Sequence, residues 1–187
     1  MVGKTMITYR YRTPDGFDDL LLRSDGEALT GLWFDRPLKP GLNPVETTPE
    51  TALPIVILDT ISWLDIYFSG HQPDFVPLFR MSNLTLFRKE VSEIMCKIPF
   101  GQTMTYGEIA NIMAQKQGIP KMSAQAVGGA VGWNPICIIV PCHRVIGAHR
   151  NLTGYGGGIE NKISLLRLEG HDVNCFPYHN NAYFCSH

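Results

Sequence analysis

An apolar run that ends in a proline constrains this chain more than any other feature. Residues 136–140 read Ile-Cys-Ile-Ile-Val, and Pro141, Cys142 and His143 follow them. A run this apolar must be buried. Proline cannot donate to a sheet ladder, and it biases the residue before it toward extended backbone. The sequence therefore predicts a buried strand that stops at Pro141 and presents Cys142 at its end.

Cys142 and His143 together indicate nucleophilic chemistry. A thiol attacks as the thiolate, and a nearby imidazole is one of the groups that lower its pKa. The same pair is also compatible with a buried structural cysteine beside a surface histidine. The two residues alone do not distinguish a nucleophile from a structural cysteine, so the sequence around them must be considered.

Composition limits the class of protein. The chain has 187 residues, of which 44% are hydrophobic, enough for one large or two small domains. It contains no apolar stretch of about 18 residues and no secretion signal, and its five cysteines are scattered. We therefore expect no membrane association and a cytoplasmic location, associated with the nucleoid when on DNA.

The charge is distributed unevenly although the net charge is only −1. Residues 1–84 carry 7 basic and 11 acidic side chains, whereas residues 85–170 carry 9 basic and 5 acidic side chains. A basic second half beside an acidic first half suggests that only the second half contacts a polyanion.

The first segment reads as a small α/β domain. Turn residues separate three predicted strands, a proline-rich stretch follows, and the last pattern predicts a helix. We place a linker at 71–83, which gives domains at 1–84 and 85–170 and a tail at 171–187. The predicted elements are strands 5–12, 17–23 and 28–34, a loop over 35–54 and a helix over 55–68.

The second segment is predicted to be helical. A stripe of apolar residues predicts a helix from about residue 86 to 98, Thr105 and Glu108 match a capping box, and Ser123 is a good N-cap for a helix over 124–131. A last helix is predicted over 159–169. The two helices before and after Ser123 fit either a helix-turn-helix or an ordinary helical hairpin.

Two glycine-containing segments suggest close approach to a ligand. Gly128 and Gly129 lie within a predicted helix, where each glycine costs about 1 kcal/mol relative to alanine. Their small face could admit a DNA minor groove or a neighbouring helix. The loop over 154–158 could wrap a flat ligand, and it matches neither phosphate-binding glycine pattern.

These segments together resemble the O6-alkylguanine-DNA alkyltransferases, the methylated-DNA–protein-cysteine methyltransferases. The resemblance is strong over about residues 86–170, where several motifs occur in the same order. The matching segments are Pro141-Cys142-His143-Arg144-Val145, Ala126-Val127-Gly128-Gly129-Ala130, Asn134-Pro135 and Gly154-Tyr155-Gly156-Gly157-Gly158.

The resemblance implies an α+β fold with two domains. The first would be a ribonuclease H-like α/β domain, and the second an all-helical, winged-helix-like domain with a helix-turn-helix. It also implies binding to double-stranded DNA through the minor groove. We expect a monomer without cofactor or metal, since residues 1–70 contain neither Cys nor His for the zinc site that some members carry there. The damaged base would be flipped out, and the alkyl group of O6-alkylguanine, or of O4-alkylthymine, would pass to Cys142. The product is a stable thioether, so the protein would act once.

The resemblance also assigns roles to individual residues. Cys142 matches the nucleophile, His143 the base that takes its proton through a water, and Glu169 the carboxylate that orients the imidazole. Asn134 matches the link between recognition helix and active-site segment, and Tyr106 the hydroxyl that stabilises the leaving guanine. The matched pocket wall comprises Val145, Tyr155, Gly156 and Gly157. The matched DNA-binding residues are Ser123, Gln125, Ala126, Gly128 and Gly129.

The chain departs from the family pattern at two of these positions. Gln125 stands where many members carry an arginine that fills the gap left by the flipped base, and glutamine offers hydrogen bonds without cation–π stacking. We expect Gln125 still to act as the wedge. Gly156 stands where some relatives carry a serine that donates to O6.

Other interpretations stay open at the level of sequence. Cys142 and His143 could serve a cysteine hydrolase, or the chain could be a lesion-binding relative with an idle thiol. His171, Cys175 and the Cys and His residues after them could hold zinc, although their spacing matches no zinc motif. Cys96 and Cys137 are predicted to be core residues.

Overall fold

The computed structural model describes residues 6–36 and 47–176, and these form two compact units. The first unit comprises the chain up to Asn83 together with Pro135–Cys137. The second comprises Leu84–Asn134 and the chain from Ile138 onward. The fold is mixed α/β, with five α-helices and two small sheets in the described part of the chain.

The first unit is built on an antiparallel meander. Strands β1 (Ile7–Tyr11), β2 (Leu20–Ser24) and β3 (Leu29–Phe34) pair in sequence order. Strands β1 and β3 lie within the predicted strands, and β2 extends one residue beyond its predicted end at residue 23; the turns at Asp15-Gly16 and Asp25-Gly26 separate the three as expected.

Helix α1 (Ile55–Phe68) packs on this sheet, and its bounds agree with the prediction. Its inner face is apolar and aromatic: Ile57, Leu64 and Tyr67 are fully buried against the buried leucines of β2 and β3. Trp63 stacks on Tyr67 with ring centroids 5.4 Å apart. This helix supplies much of the core of the first unit.

The described part of the second unit contains four α-helices and a two-stranded parallel sheet. The helices are α2 (Leu86–Met95), α3 (Tyr106–Gln117), α4 (Ala124–Gly132) and α5 (Ile159–Leu168). Strands β4 (Met104–Thr105) and β5 (Val145–Ile146) pair in parallel. The prediction of an all-helical second segment is therefore wrong in this detail, since strands this short leave no alternation of residues to read.

The predicted helix starts in this unit are confirmed. Thr105 and Glu108 form a complete capping box at α3, and the Ser123 hydroxyl accepts from the Ala126 amide at the start of α4. Helix α3 ends at Gly118, whose φ of 65° is a left-handed conformation that glycine adopts without strain. Helices α3 and α4 pack on each other, and both α2 and α3 contact α4.

The predicted strand over residues 136–140 does not form. Ile136 makes one bridge to Leu32, and residues 137–140 follow as buried turns. Ile138 has a φ of 68°, which is uncommon for a β-branched residue. The apolar side chains are buried although the segment pairs with no strand. The periodicity of the sequence alone cannot distinguish a buried strand from buried turns.

No helix among the described residues is both long enough and apolar enough to span a bilayer.

Candidate active site

Cys142 is presented by a tight turn. The Cys142 amide donates to the Val140 carbonyl at 2.8 Å across Pro141, whose φ of −81° and ψ of 64° define an inverse γ-turn. Residues Cys142–Arg144 then form one 3₁₀ turn. The fixed φ of proline suits this geometry, so Pro141 aims the cysteine even though no strand precedes it. The Cys142 side chain is buried.

Asn134 holds both ends of this turn. Its Nδ2 donates to the Val140 carbonyl at 2.8 Å and to Cys142 Sγ at 3.0 Å. Asn134 lies just after α4, which ends at Gly132. A donor on the sulfur favours the thiolate over the thiol. The structure thus places Asn134 as a direct partner of the sulfur as well as a link to α4.

His143 and Glu169 form a buried pair. His143 Nε2 lies 2.7 Å from Glu169 Oε1, and neither side chain is exposed to solvent. Glu169 also accepts from the Arg144 guanidinium at 2.9 Å and from the Gly101 amide at 3.1 Å. Arg144 donates in addition to the Ile98 carbonyl at 2.7 Å. Both carboxylate oxygens of Glu169 therefore have hydrogen-bond partners.

The environment sets opposite protonation states for this pair. Burial lowers the pKa of His143, and this outweighs the attraction of Glu169, so the imidazole is neutral at pH 7. Burial alone would raise the pKa of Glu169, but hydrogen bonds from His143 and Arg144 and the positive charge of Arg144 lower it to about 2. A neutral imidazole held by an ionised carboxylate is the arrangement that a general base requires.

Tyr106 begins α3 directly after β4, and the pairing of β4 with β5 sets it beside the segment that follows Cys142. Burial raises the pKa of the Tyr106 hydroxyl; neighbouring Thr153 lowers it, and the charge of Cys142 raises it. The Tyr106 ring also lies 3.8 Å from the position of a Cβ on Gly128. Tyr106 is therefore a protonated donor close to the thiol, packed under α4.

The predicted pocket wall is divided between buried and exposed residues. Val145 and Gly157 are buried, Tyr155 is half-buried and Gly156 is exposed. The Gly157 carbonyl accepts from Asn161 Nδ2 at 2.8 Å, so the first turn of α5 fixes the glycine loop.

Sequence reasoning missed Lys162. Its side chain is completely buried, and its Nζ donates to the carbonyls of Val145 at 2.7 Å and Thr153 at 3.2 Å. Its burial could have been predicted from its spacing: Lys162 lies four residues before the fully buried Leu166, and so on the same face of the helix.

The predicted DNA-binding residues lie together at the start and along the outer face of α4. Ser123, Gln125, Ala126 and Gly129 are exposed, whereas Gly128 is half-buried against Tyr106. A Cβ added to Gly129 would meet nothing within 4 Å. An open hollow of about 620 Å³ adjoins this face, and Gly107, Asn111, Lys121 and Ser123 are among its lining residues.

Of the other cysteines, the structure describes the side chains of Cys96 and Cys137. Cys137 is buried as predicted, but Cys96 is exposed, because α2 ends at Met95 and turns Cys96 outward. The described residues include no cluster of three or more His, Cys, Asp or Glu side chains that could hold a metal ion. Most of the predicted tail, from residue 177 onward, lies outside the described residues.

Sequence comparison relates this chain to one family of known proteins. Residues 86–171 match the family model described as "6-O-methylguanine DNA methyltransferase, DNA binding domain". The methylated-DNA–protein-cysteine methyltransferase of Mycobacterium leprae is 41% identical over 155 residues, which cover 82% of this chain and 87% of that protein.

Solved structures show the same likeness. The O6-methylguanine methyltransferase of Mycobacterium tuberculosis superposes with a TM-score of 0.67 at 37% identity, over 88% of this chain and 93% of the other. A structure of the same bacterium's protein in complex with DNA gives a TM-score of 0.66 at 39% identity, over 88% and 91% of the two chains.

Proposed function

This chain belongs to the 6-O-methylguanine DNA methyltransferase family, and from that premise we propose that it repairs DNA by moving the alkyl group of O6-alkylguanine to Cys142 Sγ. It is an enzyme of the methylated-DNA–protein-cysteine methyltransferase class. The observation that carries the proposed role of Cys142 is the contact of its sulfur with Asn134, next to the buried His143–Glu169 pair.

The reaction is a displacement at the alkyl carbon. Glu169 engages His143 Nε2, so the imidazole receives the thiol proton at Nδ1. The thiolate forms a bond to the alkyl carbon while the bond from that carbon to O6 breaks, and the electron pair stays on the guanine. Tyr106 donates to the purine and offsets the charge that develops there. The guanine anion takes up one proton from solvent and His143 releases its proton to solvent, so guanine is restored and Cys142 carries a thioether.

A thioether is not cleaved by water under mild conditions, so each molecule acts once. The same displacement applies to O4-alkylthymine, whose alkyl group is likewise bonded to an exocyclic oxygen. Both oxygens are inaccessible in a stacked pair, and the base must therefore be flipped out, at a cost of a few kcal/mol that is smaller for a weakened alkylated pair.

The outer face of α4 is the surface that we assign to the minor groove. Apart from Gln125 its exposed residues are small, so a nucleic-acid backbone can approach the helix closely. Gln125 extends from this face and acts as the wedge that replaces the flipped base. The Ser123 end of α4, beside the hollow with Lys121, provides amides and a cation for phosphates.

The two units correspond to the domain roles that we infer from the family. The unit that begins at Leu84 is the winged-helix-like catalytic and DNA-binding domain, with α3 and α4 as its helix-turn-helix. The unit that contains β1–β3 and α1 is the ribonuclease H-like domain. We infer a monomer that acts on chromosomal DNA in the cytoplasm.

The test is intact-protein mass before and after incubation with a duplex that carries O6-methylguanine, followed by peptide mapping. We expect a gain of one CH₂ unit on Cys142 that saturates at one per protein. Cys142→Ser should gain nothing, and Cys96→Ser should behave like the wild type because Cys96 is an exposed thiol outside the site. Selective binding to the lesion duplex without a mass gain would instead identify a lesion-binding protein.

A further inference from the structure

Lys162 is a buried charged group that the proposed reaction has not yet used. It lies in the first turn of α5, and its side chain is fully buried. An ammonium in such a place loses its hydration, and burial lowers the pKa of Lys162 to about 8. A buried lysine is costly, so its contacts deserve a functional explanation.

Its hydrogen bonds join two segments of the pocket wall. Val145, whose carbonyl accepts at 2.7 Å, lies three residues after Cys142 and pairs with β4. Thr153, whose carbonyl accepts at 3.2 Å, precedes the glycine loop directly. Asn161, the preceding residue of α5, holds the Gly157 carbonyl of that loop. One helical turn thus fixes both segments.

Its charge acts on the two reacting groups. A negative charge on Cys142 favours the protonated form of Lys162, and by reciprocity the ammonium favours the thiolate. The same ammonium lowers the pKa of His143, which keeps the imidazole neutral and able to take a proton. Charges in a low-dielectric interior interact more strongly than they would in water.

We propose that Lys162 is a positioning residue for the alkyl transfer: its ammonium fixes the two pocket segments and stabilises the Cys142 thiolate. This inference rests on the proposed function, since it assumes that Cys142 is the nucleophile. Lys162 keeps its proton throughout, and the thiol proton still passes to His143.

The test compares Lys162→Gln with Lys162→Arg. Glutamine can donate to a carbonyl but carries no charge, whereas arginine keeps the charge. The readout is the pH dependence of Cys142 alkylation by iodoacetamide, quantified by peptide mapping so that Cys96 does not contribute. The matched control is Lys116→Gln, which removes an exposed lysine that pairs with Glu90 at 3.1 Å on the same unit.

We expect Lys162→Gln to shift the midpoint of the Cys142 profile upward by about one pH unit and to slow labelling at pH 7 about tenfold. Lys162→Arg and Lys116→Gln should keep the wild-type midpoint. A purely structural lysine would change stability or the maximal rate, and an unchanged midpoint in Lys162→Gln would overturn the proposal.

A second measurement leaves Lys162 in place. The pKa of its ammonium, followed by NMR in the wild type and in Cys142→Ser, should be lower in the variant, because the thiolate is gone. Equal pKa values would contradict the proposed charge coupling. Neither experiment uses DNA, so a wild-type protein that shows this coupling but gains no methyl group from a lesion duplex would refute the proposed function and leave the coupling established.

Discussion

The surroundings of Cys142 and the outer face of α4 are both in the second unit, but they are built from opposite kinds of residue. Behind Cys142, four groups that can carry charge are buried: His143, Arg144, Lys162 and Glu169. Along α4, from Ser123 to Gly132, there is no charged residue, and the exposed side chains other than Gln125 are small. The buried groups behind Cys142 determine which side chains are protonated. The small residues on α4 allow another molecule to approach the helix closely.

This difference predicts separate consequences for the two regions. Changes behind Cys142 should alter the rate of transfer and the stability of the fold while the folded protein still binds DNA. Changes on α4 should alter DNA binding or the flipping of the base while the reactivity of the thiol toward a small reagent stays the same. Each variant below tests one side of this division, beginning with the largest expected effect.

Removal of the Glu169 charge should have the largest effect. Glu169→Gln leaves the buried Arg144 guanidinium without its carboxylate, and loss of one partner of a buried pair costs about 3–5 kcal/mol. We expect that loss in the free energy of unfolding from urea denaturation, and a transfer rate reduced about a hundredfold because His143 loses its orienting partner. Lesion-duplex affinity of the folded variant should be unchanged, and weaker binding would contradict the division.

Acid should destabilise the wild type through the same carboxylate. The pKa of Glu169 is lowered from 4.5 to about 2 in the folded state, so its contribution to stability is complete above about pH 4.5 and is lost as the pH falls toward 2. The difference corresponds to on the order of 3 kcal/mol. Urea midpoints measured between pH 6 and pH 2 should fall more steeply in the wild type than in Glu169→Gln. Parallel curves would show that Glu169 is not the responsible group.

Bulk on the outer face of α4 should weaken DNA binding alone. A Cβ added at Gly129 meets no atom within 4 Å, so the side chain of Gly129→Leu leaves the helix into open space and would separate a docked duplex from the helix. We expect affinity for duplex DNA to fall at least tenfold, with iodoacetamide labelling of Cys142 unchanged. Gly129→Ala is the matched control. It should bind nearly as well as the wild type and raise helix stability by up to about 1 kcal/mol.

Gln125 should show the smallest effect of these variants. Gln125→Ala removes the proposed wedge without adding bulk, so duplex affinity should change little and the transfer rate should fall several-fold. Gln125→Arg should restore or exceed the wild-type rate, because arginine adds charge and stacking to the same position. The measurement is single-turnover transfer on a lesion duplex compared with labelling by iodoacetamide. If Gln125→Ala keeps the wild-type transfer rate and DNA affinity, Gln125 does not act as the wedge.

The sequence predicted those helices that begin or end at residues known to start or stop a helix. Helix α1 follows Pro54 and is closed off by Gly70, and its predicted bounds agree with the structure. The starts of α3 and α4 were likewise predictable, because Thr105 and Ser123 are capping side chains that act within one helical turn.

Features that depend on distant contacts could not be predicted in this way. The pair of Arg144 and Glu169 joins residues 25 positions apart, and no spacing rule indicates it. The apolar run at 136–140 looked like a strand, but Asn134 and the γ-turn at Pro141 satisfy the Val140 carbonyl instead. The family resemblance supplied Glu169 and Asn134 as site residues, but it did not supply Lys162, whose burial appears only when α5 packs against β5 and the loop.

The most direct test of the division is single-turnover transfer from a lesion duplex, measured over a range of DNA concentrations for Glu169→Gln and Gly129→Leu side by side. The account predicts that Glu169→Gln lowers the maximal rate at an unchanged half-saturating DNA concentration, and that Gly129→Leu raises that concentration at an unchanged maximal rate. If either variant changes both quantities together by comparable factors, the chemistry and the DNA contact are not separate, and the account is wrong.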